Sequence, residues 1–512
     1  MVKNQYMQTL EALIQWLDDH SDHYRTKIKD YESPVLSAVL AHASGEEGTS
    51  HLPEPGSSTY YKYRSLLKKL LVQEVLAIDP AKLDNQERSL ARLQCQQWVH
   101  ALEIVARHDG EIIAVDLLKK IWQTSEIYAL SDIKWAAVRW LWRLHAMVPD
   151  LIDSLSLDVE DGGNLPHLIH CEDMAEQAYF RLSWEQSPSP VDVLLKPGVV
   201  GDVAARMAKL PDDVNSFQLH VFRELTQSRL DANERNFHSL LARNQALLLY
   251  LKNQRFQDTW SLQRVYLNLL EGYAHTMDQS AFTDCLREGL SCVGTGSILW
   301  IKFYDLGIRL SLASADFAQC NRYFQKVIDS KCLSDKPAEI QEQWRVYAAY
   351  LKFIGKVKPE YAPDKGSNST FRLGKFMNET PVFSKDKQGM NIPILVAQFL
   401  FLLSQKKYHK LIDRAEALAK YQSRYLQRDE WFRSQCFLKM LLQLPANNFH
   451  RQAVERKTAD WFSRLENRQK NEKKELSPYE IIPYEILWKW IMESLDDQFH
   501  GKRKRSSRKK SV

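Results

Sequence analysis

The side chains best suited to metal chemistry form two short histidine clusters. His20 and His23 in "DDHSDH" stand one helical turn apart beside aspartates, and imidazoles with carboxylates can hold a divalent cation. His167, His170 and Cys171 in "HLIHCED" would reach one helical face, and two imidazoles with a thiolate suit zinc. Neither segment supplies a complete ligand set. The alternatives are a polar helix end for the first and buried or capping residues for the second, so we predict no bound metal or cofactor.

The glycines of the chain do not form a phosphate-binding loop. Gly366 and Gly374 are too far apart, and Phe376 stands where such a loop needs a hydroxyl residue. The segment "DVEDGG" lacks the glutamate that completes a calcium loop. The sequence also contains no HExxH and no GxSxG motif. We predict that the protein is not an enzyme, and a catalytic site assembled from distant residues is left as a third alternative.

The strongest charge cluster is the terminal segment "GKRKRSSRKKSV". Its cations are Lys502, Arg503, Lys504, Arg505, Arg508, Lys509 and Lys510. Removing these seven from the net charge of +5 leaves −2 for residues 1–500, so the rest of the chain is nearly neutral. Such a run binds phosphates by counterion release, binds acidic lipid headgroups similarly, or serves only as a solubilising tail. It is the basis of an alternative function, non-specific contact with nucleic acid.

The composition favours long helices over strands. Apolar residues make up 44% of the 512 residues, whereas glycine and proline contribute only 18 each. Scarce turn-forming residues indicate long regular elements. The seven cysteines are odd in number and scattered, without a CxxC pair, which predicts free thiols rather than a disulfide framework.

The sequence gives no sign of membrane insertion or export. Its longest apolar run is "IPILVAQFLFLL" at 392–403, which is shorter than the roughly 20 residues that a spanning helix needs. The first residues, "MVKNQYMQTLEALIQWLDD", have no apolar segment of the signal-peptide kind. We therefore expect a soluble, cytoplasmic protein with no membrane span.

The segment "SDIKWAAVRWLWRLHAMVPD" is a strong helix candidate. Ser131 is a plausible N-cap, Pro149 should stop the helix, and apolar residues recur every three or four positions between them. On another side of this helix lie Trp135, Arg139, Trp142 and Arg143. Aromatic and cationic side chains on one face suit a partner protein or a nucleic acid, and packing between helices is the alternative.

Three short segments in the second half follow one pattern. "LKNQRF" (251–256), "LASADF" (312–317) and "LSQKKY" (403–408) each place a leucine, three residues, a charged residue and an aromatic between apolar helical stretches. Over residues 235–425 the chain resembles the tetratricopeptide (TPR) family of helical hairpins, although the segments are not spaced by multiples of 34 residues. The resemblance implies stacked helical hairpins that form an α-solenoid.

A long segment without helical periodicity, residues 355–393, interrupts the predicted hairpins. It holds seven Lys or Arg against four Asp or Glu, and its segments "FRLGKFMN" and "VFSKDK" can pair as a β-hairpin. Long insertions in helical arrays are usually functional or disordered, and its apolar residues favour order. We assign the partner-binding residues to this insertion: Phe371, Arg372, Lys375, Phe376, Phe383, Lys385 and Lys387.

These observations predict an all-α protein with an N-terminal helical domain and one long non-helical insertion. The predicted parts are N-terminal helices (1–42), a flexible linker (43–58), a helical domain (59–184), a linker (185–202), a helical-hairpin array (203–354), the insertion (355–393), C-terminal helices (394–500) and a disordered basic tail (501–512). The favoured function is an intracellular scaffold that binds a protein or peptide partner. The alternative is a nucleic-acid-associated protein that uses the tail.

Overall fold

The computed structural model shows a chain of packed α-helices. It describes residues 34–43, 57–77, 87–108, 110–153, 164–185, 197–211, 213–361, 391–425, 432–471, 480–498 and 500, with positions 14, 54, 155, 374 and 376. Within these residues no β-strand forms, and the prediction of an all-α fold is confirmed for them.

The chain divides into two compact units. Unit 1 comprises Met1–Gly163 and Arg255–Gln257, and unit 2 comprises Asn164–Gln254 and Asp258–Val512. The helices of unit 1 are α1 (Pro34–Ala43), α2 (Ser58–Ala77), α3 (Arg88–Val105), α4 (Glu111–Ile127), α5 (Ser131–Met147) and α6 (Pro149–Asp153). Within this unit α3, α4 and α5 pack on one another, as do α1 and α2.

Unit 2 contains the longer run of helices. These are α7 (Leu165–Glu185), α8 (Pro197–Met207), α9 (Phe217–Asn233), α10 (Phe237–Lys252), α11 (Thr259–His275), α12 (Gln279–Gly289), α13 (Ile298–Ala313), α14 (Phe317–Asp329), α15 (Ala338–Val357), α16 (Asn391–Ser404), α17 (Tyr408–Tyr425), α18 (Phe432–Ala446), α19 (Arg451–Asn471) and α20 (Tyr484–Ser494). Helix α8 begins inside the segment that the sequence assigned to a linker, and the predicted domain boundaries stay predictions.

A recurring tight turn joins several consecutive helices. Between α13 and α14, the Ser314 N–H donates to Leu310 O and the Asp316 N–H donates to Ser311 O, at 2.9 and 2.8 Å. Ala315 between them is left-handed, with φ of 61°. Asp316 then caps α14 by accepting the Gln319 N–H at 3.0 Å, which satisfies a backbone donor that the helix leaves unpaired.

The turn identifies which of the three patterned segments are hairpin connections. Segments 312–317 and 403–408 each contain it, with Ala315 and Lys406 in the left-handed conformation. Segment 251–256 does not: α10 ends at Lys252 without a left-handed residue. Phe256 packs instead on Tyr128, with ring centroids 5.7 Å apart, and both residues belong to unit 1.

The connections at Arg235 and Met277 have the same turn but escape the sequence pattern, as does the connection at Ala129. Arg235 and Met277 are left-handed, and Asn236 and Asp278 cap the helices that follow. An alanine replaces the patterned leucine in both segments, and a glutamine replaces the aromatic in the second. Backbone geometry repeats here although the side chains do not.

Several helices lie alongside the helix two before them in the chain, with a nearly constant register. Hydrogen-bonded pairs about 40 residues apart mark this packing in both units. They are Arg92–Asp132 (40 residues apart), Ser216–Glu172 (44), Arg229–Glu271 (42) and Tyr347–Asp305 (42). Tyr350–Pro393 has a similar separation (43) but joins α15 to α16, which follow one another among the described helices. The contacts advance together along both helices, as Ser216–Glu172 and Gln218–Glu176 show, so these neighbours run parallel.

The same register places α16 directly beside α15. The Tyr350 hydroxyl donates to Pro393 O at 3.0 Å, and Lys356 Nζ donates to Ser404 O at 3.1 Å. The chain that connects these two helices contains most of the predicted insertion. Of residues 362–390, only positions 374 and 376 are described.

The apolar run at 392–403 is explained by burial on all sides. Helix α16 is 14 residues long, and every one of its side chains from Ile392 to Leu403 is buried. A helix that is apolar all round belongs in a protein core when it is this short. In the parts of the chain that the structure describes, no helix combines the length and hydropathy needed to cross a bilayer.

Candidate functional site

Helix α5 is held firmly by its buried face. Its buried residues are Ile133, Ala137, Val138, Leu141 and Leu144, in agreement with the predicted periodicity. The helix ends at Met147, before Pro149, also as predicted. The N-cap prediction is wrong by one residue, because Leu130 occupies that position and Ser131 begins the helix.

Two arginines of α3 fix the start of α5. Arg88 donates to Tyr128 O and Ala129 O, both at 2.9 Å, and so satisfies carbonyls at the end of α4. Arg92 pairs with Asp132 at 2.5 Å. Together with the buried face, these contacts position the opposite side of α5 rigidly.

That opposite side carries the aromatic and cationic residues noted in the sequence. We call Trp135, Arg139, Trp142 and Arg143 the Trp–Arg face. The rings of Trp135 and Trp142 meet edge to face, with centroids 5.5 Å apart and planes at 86°. Arg139 lies over the Trp135 ring at 5.9 Å, and Trp142 is 45% exposed. The structure therefore brings together the residues that the spacing placed on one face.

Both arginines of the Trp–Arg face keep their hydrogen-bonding capacity. Arg143 lies over the ring of Trp140 at 4.8 Å, and both guanidinium groups are exposed. No carboxylate among the described residues pairs with either of them, whereas Lys134 on the same helix pairs with Glu126 at 3.3 Å. The surrounding residues 88–153 hold eight Lys or Arg and eight Asp or Glu, so the positive charge of this face is local.

The histidine and cysteine side chains of "HLIHCED" point to different sides of α7. His167 and His170 are exposed, and Cys171 is 2% exposed. Burial raises the pKa of the Cys171 thiol, which disfavours the thiolate that zinc needs. Across the described residues, no three His, Cys, Asp or Glu side chains cluster in a way that could hold a metal ion. His20 and His23 lie outside these residues.

The residues assigned to partner binding in the insertion are almost all undescribed. Phe376 is helical and 4% exposed. Phe371, Arg372, Lys375, Phe383, Lys385 and Lys387 lie outside the described residues, as do all residues of the basic tail. Their assignment stays a prediction.

An aromatic cluster in unit 2 was missed by sequence reasoning. Tyr179 and Phe180 of α7, Phe222 of α9 and Trp260 of α11 have ring centroids 5.4 to 6.0 Å apart. Arg264 lies over Trp260 at 5.3 Å, and Phe180 is 44% exposed. These residues come from three parallel helices about 40 residues apart. Their proximity could have been predicted only from that register, which the sequence did not reveal.

Polar side chains also lie inside unit 2. Asp305 of α13 accepts hydrogen bonds from Gln343 Nε2 and the Tyr347 hydroxyl of α15, at 2.7 and 2.6 Å. The neighbouring Glu342 is 7% exposed, and its Oε1 has no hydrogen-bond partner. Burial raises the pKa of Glu342 to about 7, against the opposing effect of nearby Arg345.

All seven cysteines have free thiols. Cys95, Cys171, Cys285, Cys320 and Cys436 are buried, and Cys292 and Cys332 are half-buried. Burial raises the pKa of Cys95 and of Cys285 to about 12, so neither is a ready nucleophile near neutral pH.

Comparison of the chain with protein-family models, curated proteins and solved structures found no match.

Proposed function

We propose that this chain is an intracellular, cytoplasmic scaffold of stacked helical hairpins that binds a protein or peptide partner and catalyses no reaction itself. Parallel neighbours recur at a separation of about 40 residues within each unit, which supports an α-solenoid of TPR-like type. Arrays of this kind use their extended surfaces to bind other proteins.

The observation that carries the proposal is the Trp–Arg face. A tryptophan that is 45% exposed beside unpaired arginines contributes little to the stability of a helix whose other face is already packed. Tryptophan and arginine are also the residues most enriched among those that dominate binding energy at protein interfaces. A partner surface accounts for both their exposure and their rigid placement.

The predicted insertion adds a second element to this proposal. It connects α15 to α16 along the chain, and in this proposal it borders or caps the surface that the hairpins form. The residues assigned there, Phe371 to Lys387, would then contact the partner together with the array.

A second candidate function is contact with nucleic acid through the basic tail. Seven cations in twelve residues would neutralise phosphates without selecting a sequence. The near neutrality of residues 1–500 favours the scaffold, because a protein that binds nucleic acid across its surface usually carries a basic stripe on its folded part.

Affinity purification from the native host, with and without nuclease, distinguishes the two functions. Full-length protein and a full-length variant with the seven tail cations changed to glutamine serve as baits. The proposal predicts that a defined protein remains bound after nuclease treatment and with the neutralised tail. Recovery of nucleic acid alone, or loss of all partners with the tail charges, would support the second candidate instead.

A further inference from the structure

We infer that the Trp–Arg face is a docking site for an acidic linear peptide segment that carries an aromatic or large aliphatic side chain. This inference rests on the proposed function and names the chemistry of the partner.

The charge of the face calls for carboxylates. Arg139 and Arg143 are four residues apart on α5, which places them on neighbouring turns with their Cβ atoms about 6 Å apart. Both are exposed, and no carboxylate among the described residues pairs with them. The planar guanidinium group donates parallel hydrogen bonds that match a carboxylate. Two acidic side chains of one extended segment can therefore bind to adjacent arginines.

The apolar surface calls for a hydrophobic anchor beside those acids. Trp142 exposes almost half of its surface, and the ring of Trp135 stands perpendicular to it at 5.5 Å. Two rings in this arrangement form a corner that an aromatic or aliphatic side chain can fill, with edge-to-face contact to either ring. An acidic segment without such a side chain would leave this surface exposed to water.

The orientation of the rings disfavours nucleic acid as the occupant. Successive bases stack on flat aromatic faces along a basic groove. Here Arg139 already lies over the Trp135 ring, and the perpendicular rings offer no shared plane. Residues 88–153 are also neutral overall, with eight Lys or Arg and eight Asp or Glu, whereas a nucleic-acid backbone requires an excess of positive charge. A peptide fits these features better.

Selection from a phage-displayed library of random 16-residue peptides tests the inference without knowledge of the natural partner. Full-length protein is the target, and the Arg139→Glu/Arg143→Glu double variant is used for counter-selection. We expect enrichment of peptides with two or more acidic residues close to Phe, Trp, Leu or Ile. The most enriched peptide, labelled with fluorescein, should then bind at least tenfold more weakly to the double variant and to Trp142→Ala.

Matched controls separate this face from general charge effects. Lys119→Glu/Lys120→Glu on α4 changes charge equally at two exposed positions and should leave peptide affinity within twofold. Circular dichroism should show native helix content in every variant, because all the altered residues are exposed. Peptides without acidic enrichment, or affinity unchanged in the double variant, would overturn the inference.

Two further outcomes distinguish the possible failures. Binding of a 12-nucleotide oligouridine RNA that the double variant abolishes would assign the face to nucleic acid and overturn the inference. A native protein partner that binds the double variant as tightly as the unaltered protein would also overturn it, while leaving the proposed scaffold function intact. Absence of any native protein partner would instead count against the proposed function.

Discussion

At the scale of single residues, Glu342 makes stability depend on pH. In the folded protein its carboxyl keeps its proton until about pH 7, whereas its ordinary pKa is 4.5. Between these values the folded state binds more protons than the unfolded state, so stability falls as the pH rises from about 4.5 to 7. Above pH 7 the carboxyl is ionised in the folded protein, and its burial then lowers the free energy of unfolding by its full amount.

The variant Glu342→Gln should remove this cost, because glutamine resembles the protonated acid in shape. We expect it to stabilise the protein by roughly 3 kcal/mol at pH 8 and by about 1 kcal/mol or less at pH 5, since a tenfold change in proton affinity is worth about 1.4 kcal/mol. Urea unfolding at both pH values measures the difference. Glu455→Gln, at an exposed position on α19, is the control and should change stability by less than about 0.5 kcal/mol at either pH. Equal effects of Glu342→Gln at both pH values would contradict this account.

Arg433 is the second residue whose loss should be costly. It donates to both oxygens of Glu480 at 2.7 and 2.8 Å, to Glu485 at 2.9 Å and to Leu465 O of α19 at 3.2 Å. The side chains of both glutamates are at most 10% exposed. Arg433→Met would leave two buried carboxylates unpaired, which typically costs about 3–5 kcal/mol.

Urea unfolding again measures this loss, and the triple variant Arg433→Met/Glu480→Gln/Glu485→Gln should recover much of it because no buried charge then remains. Arg464→Met on α19 removes an exposed pair with Asp460 and a contact with the ring of Trp461 at 5.0 Å, and should cost less than about 1 kcal/mol. A single Arg433→Met variant no less stable than Arg464→Met would show that the buried network contributes nothing.

At the scale of elements, close packing of neighbouring helices depends on small residues. A Cβ at Gly307 of α13 would lie 2.9 Å from the ring of Tyr323 and 3.2 Å from that of Phe282. Gly307→Ala should therefore destabilise the protein by about 1–3 kcal/mol through overpacking. Gly201→Ala on α8, where a Cβ meets open space, should instead stabilise it by about 0.5–1 kcal/mol through helix propensity. Thermal unfolding measures the melting temperatures of the two variants. Shifts of the same sign in both would contradict the packing described.

The sequence predicts individual helices better than their connections. Apolar periodicity located the buried face of α5 and the stop before Pro149, because both follow from the 3.6-residue repeat and from proline chemistry. The turns at Arg235 and Met277 were missed, since a left-handed backbone at a non-glycine residue depends on the cap that follows and on the packing of both helices. Neither the cap nor the packing requires a fixed pattern of side chains in the sequence.

At the scale of the whole molecule, the register of about 40 residues is what the sequence did not reveal. A search for 34-residue spacing could not detect it, and segment 251–256 belongs to a different kind of connection. The Trp–Arg face was predictable because its four residues lie on one helix. The cluster of Tyr179, Phe180, Phe222 and Trp260 was not, because three helices must first be aligned.

The central claim is that the helical part of the chain, and not its basic tail, binds a protein partner. The most direct test is the affinity of the nuclease-resistant partner for the full-length protein and for the variant with seven neutralised tail cations, measured by isothermal titration calorimetry at 50 and 300 mM salt. At each salt concentration, we predict that the dissociation constants of the two proteins agree within threefold. Loss of binding on neutralisation of the tail, with the salt dependence lost as well, would contradict the claim and place the function in residues 501–512.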